Sequence, residues 1–231
     1  MTLQKRKVGN PPIIDAMVLF RFEAGRFSEA CQTALKSVYP NRDAEFSNFL
    51  ADVDHDNQNY GLFKSESKEQ SIIVLPDSVV FRDGRKYKDR TTIEASIKTV
   101  WKAVDLDSIA KDICEIRFRV INKFEVKATE LKEAIKILPR VVLPSERALI
   151  SSMDFRLDIL SELKGAAADV TVRVTAKNSE VVEVLFDIDT YLAPETPLSD
   201  FDSVSAYLLR LSELKNDVFF NNIDKPEVRF A

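Results

Sequence analysis

Ile113-Cys114-Glu115-Ile116-Arg117-Phe118-Arg119-Val120-Ile121-Asn122-Lys123-Phe124 alternates apolar and charged side chains through its middle. A strand sends successive side chains to opposite faces, so Ile116, Phe118 and Val120 turn one way and Arg117 and Arg119 the other. The segment reads as a long half-buried strand with a core face and a charged face. A second apolar run, Ile13–Phe22, stands near the start of the chain, where Phe20-Arg21-Phe22 answers Phe118-Arg119-Val120.

Each run opens the same order: strand, amphipathic helix, further strands, second amphipathic helix. Cys31, Ala34, Leu35 and Val38 have the helical spacing i, i+3, i+4, i+7, and so do Leu131, Ala134, Ile135 and Leu138. Pro40 and Pro139 stop these two helices. The helices closing the halves match as well, with Ile97, Val100, Trp101 and Val104 spaced like Val204, Tyr207, Leu208 and Leu211. Ser199 or Asp200 is placed to cap the last helix. Strands are expected over 13–23, 60–63, 71–75, 78–81, 113–126, 148–160, 170–176 and 181–191, with turns at Asp83-Gly84, Lys164-Gly165 and Lys177-Asn178. The stretch 42–59 is polar and acidic and reads as a long loop with a short helix or strand. The linker 105–112 has no Gly or Pro and does not look like a flexible boundary.

The expectation is therefore α+β. Residues 1–231 form a single unit of two similar strand-helix-strands-helix halves, 10–105 and 106–220. Antiparallel sheet carries its helices on one face and leaves a charged face open.

Composition narrows the function. The chain has 231 residues, 45% hydrophobic and 30% charged, as a globular protein does. One His and two Cys are too few for a His- or Cys-based zinc site, and Cys31 and Cys114 sit in apolar patterns that read as buried reduced thiols. Asp52, Asp54 and Asp56 alternate as in a calcium loop, but Asn57 stands where that loop needs Gly and Phe63 where it needs Glu, so the segment reads as a solvated acidic loop. No nucleotide-binding, serine-hydrolase or metalloprotease motif occurs. No run is long enough to span a membrane and the basic N-terminus has no export signal, so a cytoplasmic location is expected. Neither a cofactor nor a catalytic residue is expected.

Candidate binding residues are the strand arginines Arg21, Arg117, Arg119 and Arg173. Asp154, Asp158, Asp187 and Asp189 also lie on strands at alternate positions. Such carboxylates can serve acid–base or metal chemistry; more often they pair with arginines across a half-solvated sheet. A net charge of −4 argues against a general duplex-DNA binder, although a local basic patch remains open.

Asn10-Pro11-Pro12-Ile13-Ile14-Asp15-Ala16, then Phe20-Arg21-Phe22-Glu23, and the central Arg119-Val120-Ile121-Asn122-Lys123-Phe124 together resemble an uncharacterised, sporadically distributed bacterial protein family. Its members open with Asn-Pro-Pro-(Ile/Val)-x-(Glu/Asp)-Ala and carry a central Arg-Tyr-Ile-Asn-Arg-like strand. Here Val120 replaces the aromatic and Lys123 the second Arg. The resemblance spans the chain and implies an accessory role, such as defence or a toxin–antitoxin-like locus, without implying an activity. At fold level the duplicated order is similar to the saddle of TATA-binding-protein-like folds, whose DNA-binding use needs a basic concave face. The leading expectation is a non-enzymatic binding protein that meets a protein partner or a second copy of itself. The alternative is a nucleic-acid binder using the open sheet face, and a metal-dependent hydrolase ranks below both.

Overall fold

The computed structural model describes residues 13–23, 41–42, 61–64, 70–75, 77–84, 87, 89–103, 105–127, 129, 131, 152–160, 165–178 and 180–222. Within them lie β1 Ile13–Phe22, β2 Asn41–Arg42, β3 Gly61–Lys64, β4 Gln70–Val74, β5 Ser78–Asp83, α1 Arg90–Ala103, a 3-10 helix Leu106–Asp112, β6 Ile113–Lys127, β7 Ser152–Leu160, β8 Ala166–Ala176, β9 Val181–Leu192 and α2 Phe201–Asn222. The expected helix over 28–38 and the acidic loop with His55 fall outside the described residues; of the helix expected over 127–138 only Lys127, which ends β6, Thr129 and the buried, helical Leu131 are described.

The strands form one antiparallel sheet in the order β2-β3-β4-β5-β1-β6-β9-β8-β7. β1 and β6 meet at its centre, with Val18 opposite Phe118. Outward from β1 come β5, β4 and β3; outward from β6 come β9, β8 and β7. In each half the first strand pairs with the last, and the middle strands follow in reverse. The two halves share this order about the β1–β6 seam, as the repeated pattern predicts, and the short β2 extends the first half beyond β3.

The alternation in β6 divides the sheet into two faces. Ile116, Phe118, Val120 and Phe124 are fully buried on the helix side, next to Val18 and Phe20 of β1 and Phe186 and Ile188 of β9. α1 covers this face with Ile93, Ile97, Val100 and Trp101, and α2 with Val204, Leu208 and Leu211. Trp101 joins the layers: its ring packs edge-on to Phe20 and Phe201, each 5.6 Å away, and its indole N–H donates to Asp107 at 2.6 Å. Each such buried aliphatic or aromatic side chain contributes about 1.5–3 kcal/mol relative to exposure.

Both helices start at a capping aspartate. Asp89 Oδ1 accepts the Thr92 N–H at 3.0 Å. Asp200, rather than Ser199, accepts the Ser203 N–H at 2.8 Å, and Ser203 Oγ accepts the Asp200 N–H at 3.3 Å in return. Two local expectations gain detail and a third is revised. The linker is the 3-10 helix, entered through Asp105 in the left-handed region at φ 52. Arg42, expected to open the polar loop, pairs with β3 together with Asn41. Cys114 is half-buried instead of core, because the β1–β6 register slips between Arg21↔Glu115 and Phe22↔Ile113 and leaves Cys114 as the extra, bulged residue. The turn at Gly165 is as expected, with φ +74 that favours glycine.

Candidate functional site: the open face of the second half

The sheet face opposite the helices is laid out by register. Arg119 stands opposite Asp189 and Arg117 opposite Tyr191, while Asp189 faces Asp169 and Asp187 faces Thr171 on β8. On β7, Asp158 faces Asp169, Arg156 faces Thr171 and Asp154 faces Arg173. The strand period alone therefore gathers charge on this side. On the first half the same face is more apolar, with Leu19, Val80 and Ile73 in one row beside Arg117.

The arginines bond diagonally. Arg117 Nε donates to Glu115 at 2.8 Å and Nη1 to Asp189 at 2.9 Å, and its guanidinium lies 4.7 Å from the centre of the Tyr191 ring. Arg119 grips both oxygens of Asp187, with Nε to Oδ1 at 2.9 Å. Arg21 joins the network through Glu115 at 3.2 Å and, more distantly, Asp77 at 3.8 Å. Arg173 pairs with Asp154 at 2.7 Å. Arg156 is held loosely, 3.6 Å from Asp169 and 3.8 Å from Asp158.

Arg117, Arg119, Arg156, Asp169, Thr171, Asp187 and Asp189 line a depression of about 220 Å³. At its floor, burial pushes the Asp189 carboxyl above its usual range despite the Arg117 guanidinium, and Asp189 Oδ1 has no hydrogen-bond donor among the described residues. The hydrogen bond to Asp187 raises Arg119. For Arg117, burial acts downward, but Glu115 and Asp189 together outweigh it and the net shift is upward.

Of the four arginines singled out in the sequence, Arg117 and Arg119 lie in the depression and Arg21 adjoins it through Glu115. Arg173 lies outside, two strands from β6. Asp187 and Asp189 are inside, Asp154 is engaged by Arg173, and Asp158 sits opposite the like-charged Asp169. Among the described residues no three His, Cys, Asp or Glu side chains gather as a metal site. Glu115, Asp169, Thr171 and Tyr191 belong to the site and were not singled out. The alternation Asp169-Val170-Thr171-Val172-Arg173 is the signal that could have found two of them. The arrangement can recognise charged groups of either sign by exchanging ion pairs with them.

No helix among the described residues is long and apolar enough to cross a membrane. No protein-family model and no curated protein matches the chain. The duplicated taurocyamine kinase from Schistosoma mansoni, solved with transition-state-analogue components, is among the structures found by shape. It is 11% identical over 96% of this chain and 36% of that one, with a TM-score of 0.38, a likeness that transfers neither fold nor activity.

Proposed function

We propose that the chain is a non-enzymatic binding protein that meets a protein partner through the open face of its second half. The observation that carries this reading is the pairing of the arginines. Arg117 and Arg119 each bridge to a carboxylate on the neighbouring strand, and Arg173 does the same with Asp154. A lattice of alternating sign suits a protein surface that brings charges of both signs, since each ion pair can re-pair across the interface and wrong partners meet like charge. Arginine and tyrosine, here Arg117 stacked on Tyr191, are also the side chains that interfaces favour. Duplex nucleic acid needs a surplus of cations, and Glu115, Asp187 and Asp189 remove that surplus from the same arginines. Hydrolysis assisted by a divalent metal lacks support for a similar reason, because Asp154 and Asp187 are each held by a guanidinium. The motif resemblance around Asn10-Pro11-Pro12 and Arg119–Phe124 supports placing this binding role in a bacterial accessory system, in the cytoplasm.

Titration with a random-sequence DNA duplex at physiological salt separates the protein-binding reading from its nearest rival. No saturable binding is expected. Saturable binding that falls steeply with added salt and is lost in Arg117→Ala/Arg119→Ala would replace the protein partner by nucleic acid.

A further inference from the structure

Among the described residues β7 ends the sheet in the second half, and its only strand partner there is β8. A strand at a sheet edge offers a row of backbone N–H and C=O groups, and proteins usually blunt such an edge. The side chains of β7 do something more selective. On the open face it carries Asp154, Arg156 and Asp158 in alternating sign, with Arg156 71% and Asp158 75% exposed. On the helix face, Phe155 and Ile159 are only partly buried, whereas Val170 and Val172 of the adjoining β8 are fully buried. The edge is thus left with apolar side chains half-covered and charges poorly matched. Asp158 faces the like charge of Asp169 and reaches Arg156 only at 3.8 Å.

We infer that β7 pairs antiparallel with β7 of a second copy about a twofold axis at Leu157, joining two sheets into one. In that register Arg156 stands opposite the partner's Asp158, Phe155 opposite the partner's Ile159, and Leu157 opposite its own copy. Both mismatches on the edge are relieved together: Asp158 gains a guanidinium, and the half-buried apolar pair is covered. A register centred on Arg156 would instead set Arg156 against itself and Asp154 against Asp158. The alternating signs therefore select against that slip while leaving the strand able to pair. The contact is isologous, so it closes at two copies and leaves no new edge on that side. It uses Arg156, which also lines the depression, but neither Arg117 nor Arg119, and its readout, the oligomeric state, is separate from the open-face binding tests.

Sedimentation equilibrium of the wild type and three variants tests this. The wild type should be a dimer. Arg156→Asp and Asp158→Arg should each shift it towards monomer, by at least about tenfold in dissociation constant, because each sets like charges across the axis. The double variant Arg156→Asp/Asp158→Arg exchanges the two charges and should restore the dimer. Circular dichroism should show all four folded, since both side chains are exposed. Leu157→Cys should form an intermolecular disulfide on mild oxidation. A monomeric wild type, or a dimer indifferent to both single charge reversals, overturns the inference. Failure of the double variant to recover, with its fold intact, also overturns it.

Discussion

Arg119 reaches past Asp189, its register partner on β9, and grips Asp187 instead, with Nε 2.9 Å from Oδ1. Arg117 leans the same way, past Tyr191 to Asp189. The diagonal frees the Tyr191 ring to carry the Arg117 guanidinium and staples β6 to β9 just beside the central seam. A double-mutant cycle on Arg119→Ala and Asp187→Ala should give a coupling of about 1 kcal/mol, the upper end for pairs that keep some solvent contact. The same cycle on Arg119 and Asp189 should give less. Equal couplings would mean that the guanidinium is shared between the two carboxylates.

Phe118 lies on the other side of the same strand, 0% exposed, with Tyr87 packed edge-on at 6.1 Å. Phe118→Ala should cost about 3–5 kcal/mol in denaturant unfolding, as aromatic truncations in cores do. A loss below about 1 kcal/mol would be the behaviour of a surface site and would contradict the assignment of faces.

Lys215 of α2 is 6% exposed, with Nζ 5.2 Å from the centre of the Phe118 ring and 3.4 Å from the Tyr87 hydroxyl. Burial lowers its pKa from 10.5 to about 8. The unfolded chain therefore binds the proton more tightly, and the contribution of Lys215 to stability should rise as pH increases from about 8 to about 10.5. Below pH 8 the folded protein carries the full cost of the buried ammonium. Lys215→Met should stabilise the protein at pH 7 by up to about 3 kcal/mol, and the gap to wild type should shrink to about 1 kcal/mol by a pH of about 10. Chemical denaturation at the two pH values reads this directly. A destabilised Lys215→Met at neutral pH would mean that the ammonium is paired more strongly than the tyrosine contact provides.

The face assignment was legible in the sequence because β6 is long and alternates without interruption from Ile116 to Val120, and the shared strand order was foreshadowed by the common spacing of the closing helices α1 and α2. What escaped depends on neighbours in space. Alternation tells which side Arg117 and Arg119 take, and pairing with strand carboxylates is the favoured expectation, but the pattern does not tell which carboxylate each arginine reaches or that each is only partly exposed. Glu115 shares the period of Arg117 and Arg119, but that it would also meet Arg21 depends on the β1–β6 register. Asp169 was hidden by the run of small residues Ala166-Ala167-Ala168, which blurs where β8 begins. Lys215 occupies i+4 from Leu211 and i+7 from Leu208, an apolar-face position, yet a lysine there reads as solvated until the helix is docked.

The binding role of the open face is tested most directly by comparing which proteins of the source organism's extract are retained by four immobilised forms of the chain. These are the wild type, Thr171→Arg, which fills the depression, Arg117→Ala/Arg119→Ala, and Lys102→Ala, which alters an exposed position on the helix side and serves as the control. Circular dichroism should first show all four folded. A specific protein partner should be retained by the wild type and by Lys102→Ala, and depleted at least about tenfold on Thr171→Arg and on the double alanine variant, as the loss of central interface contacts requires. Retention of the same partner by the two open-face variants, at wild-type levels, would contradict the assignment of binding to this face.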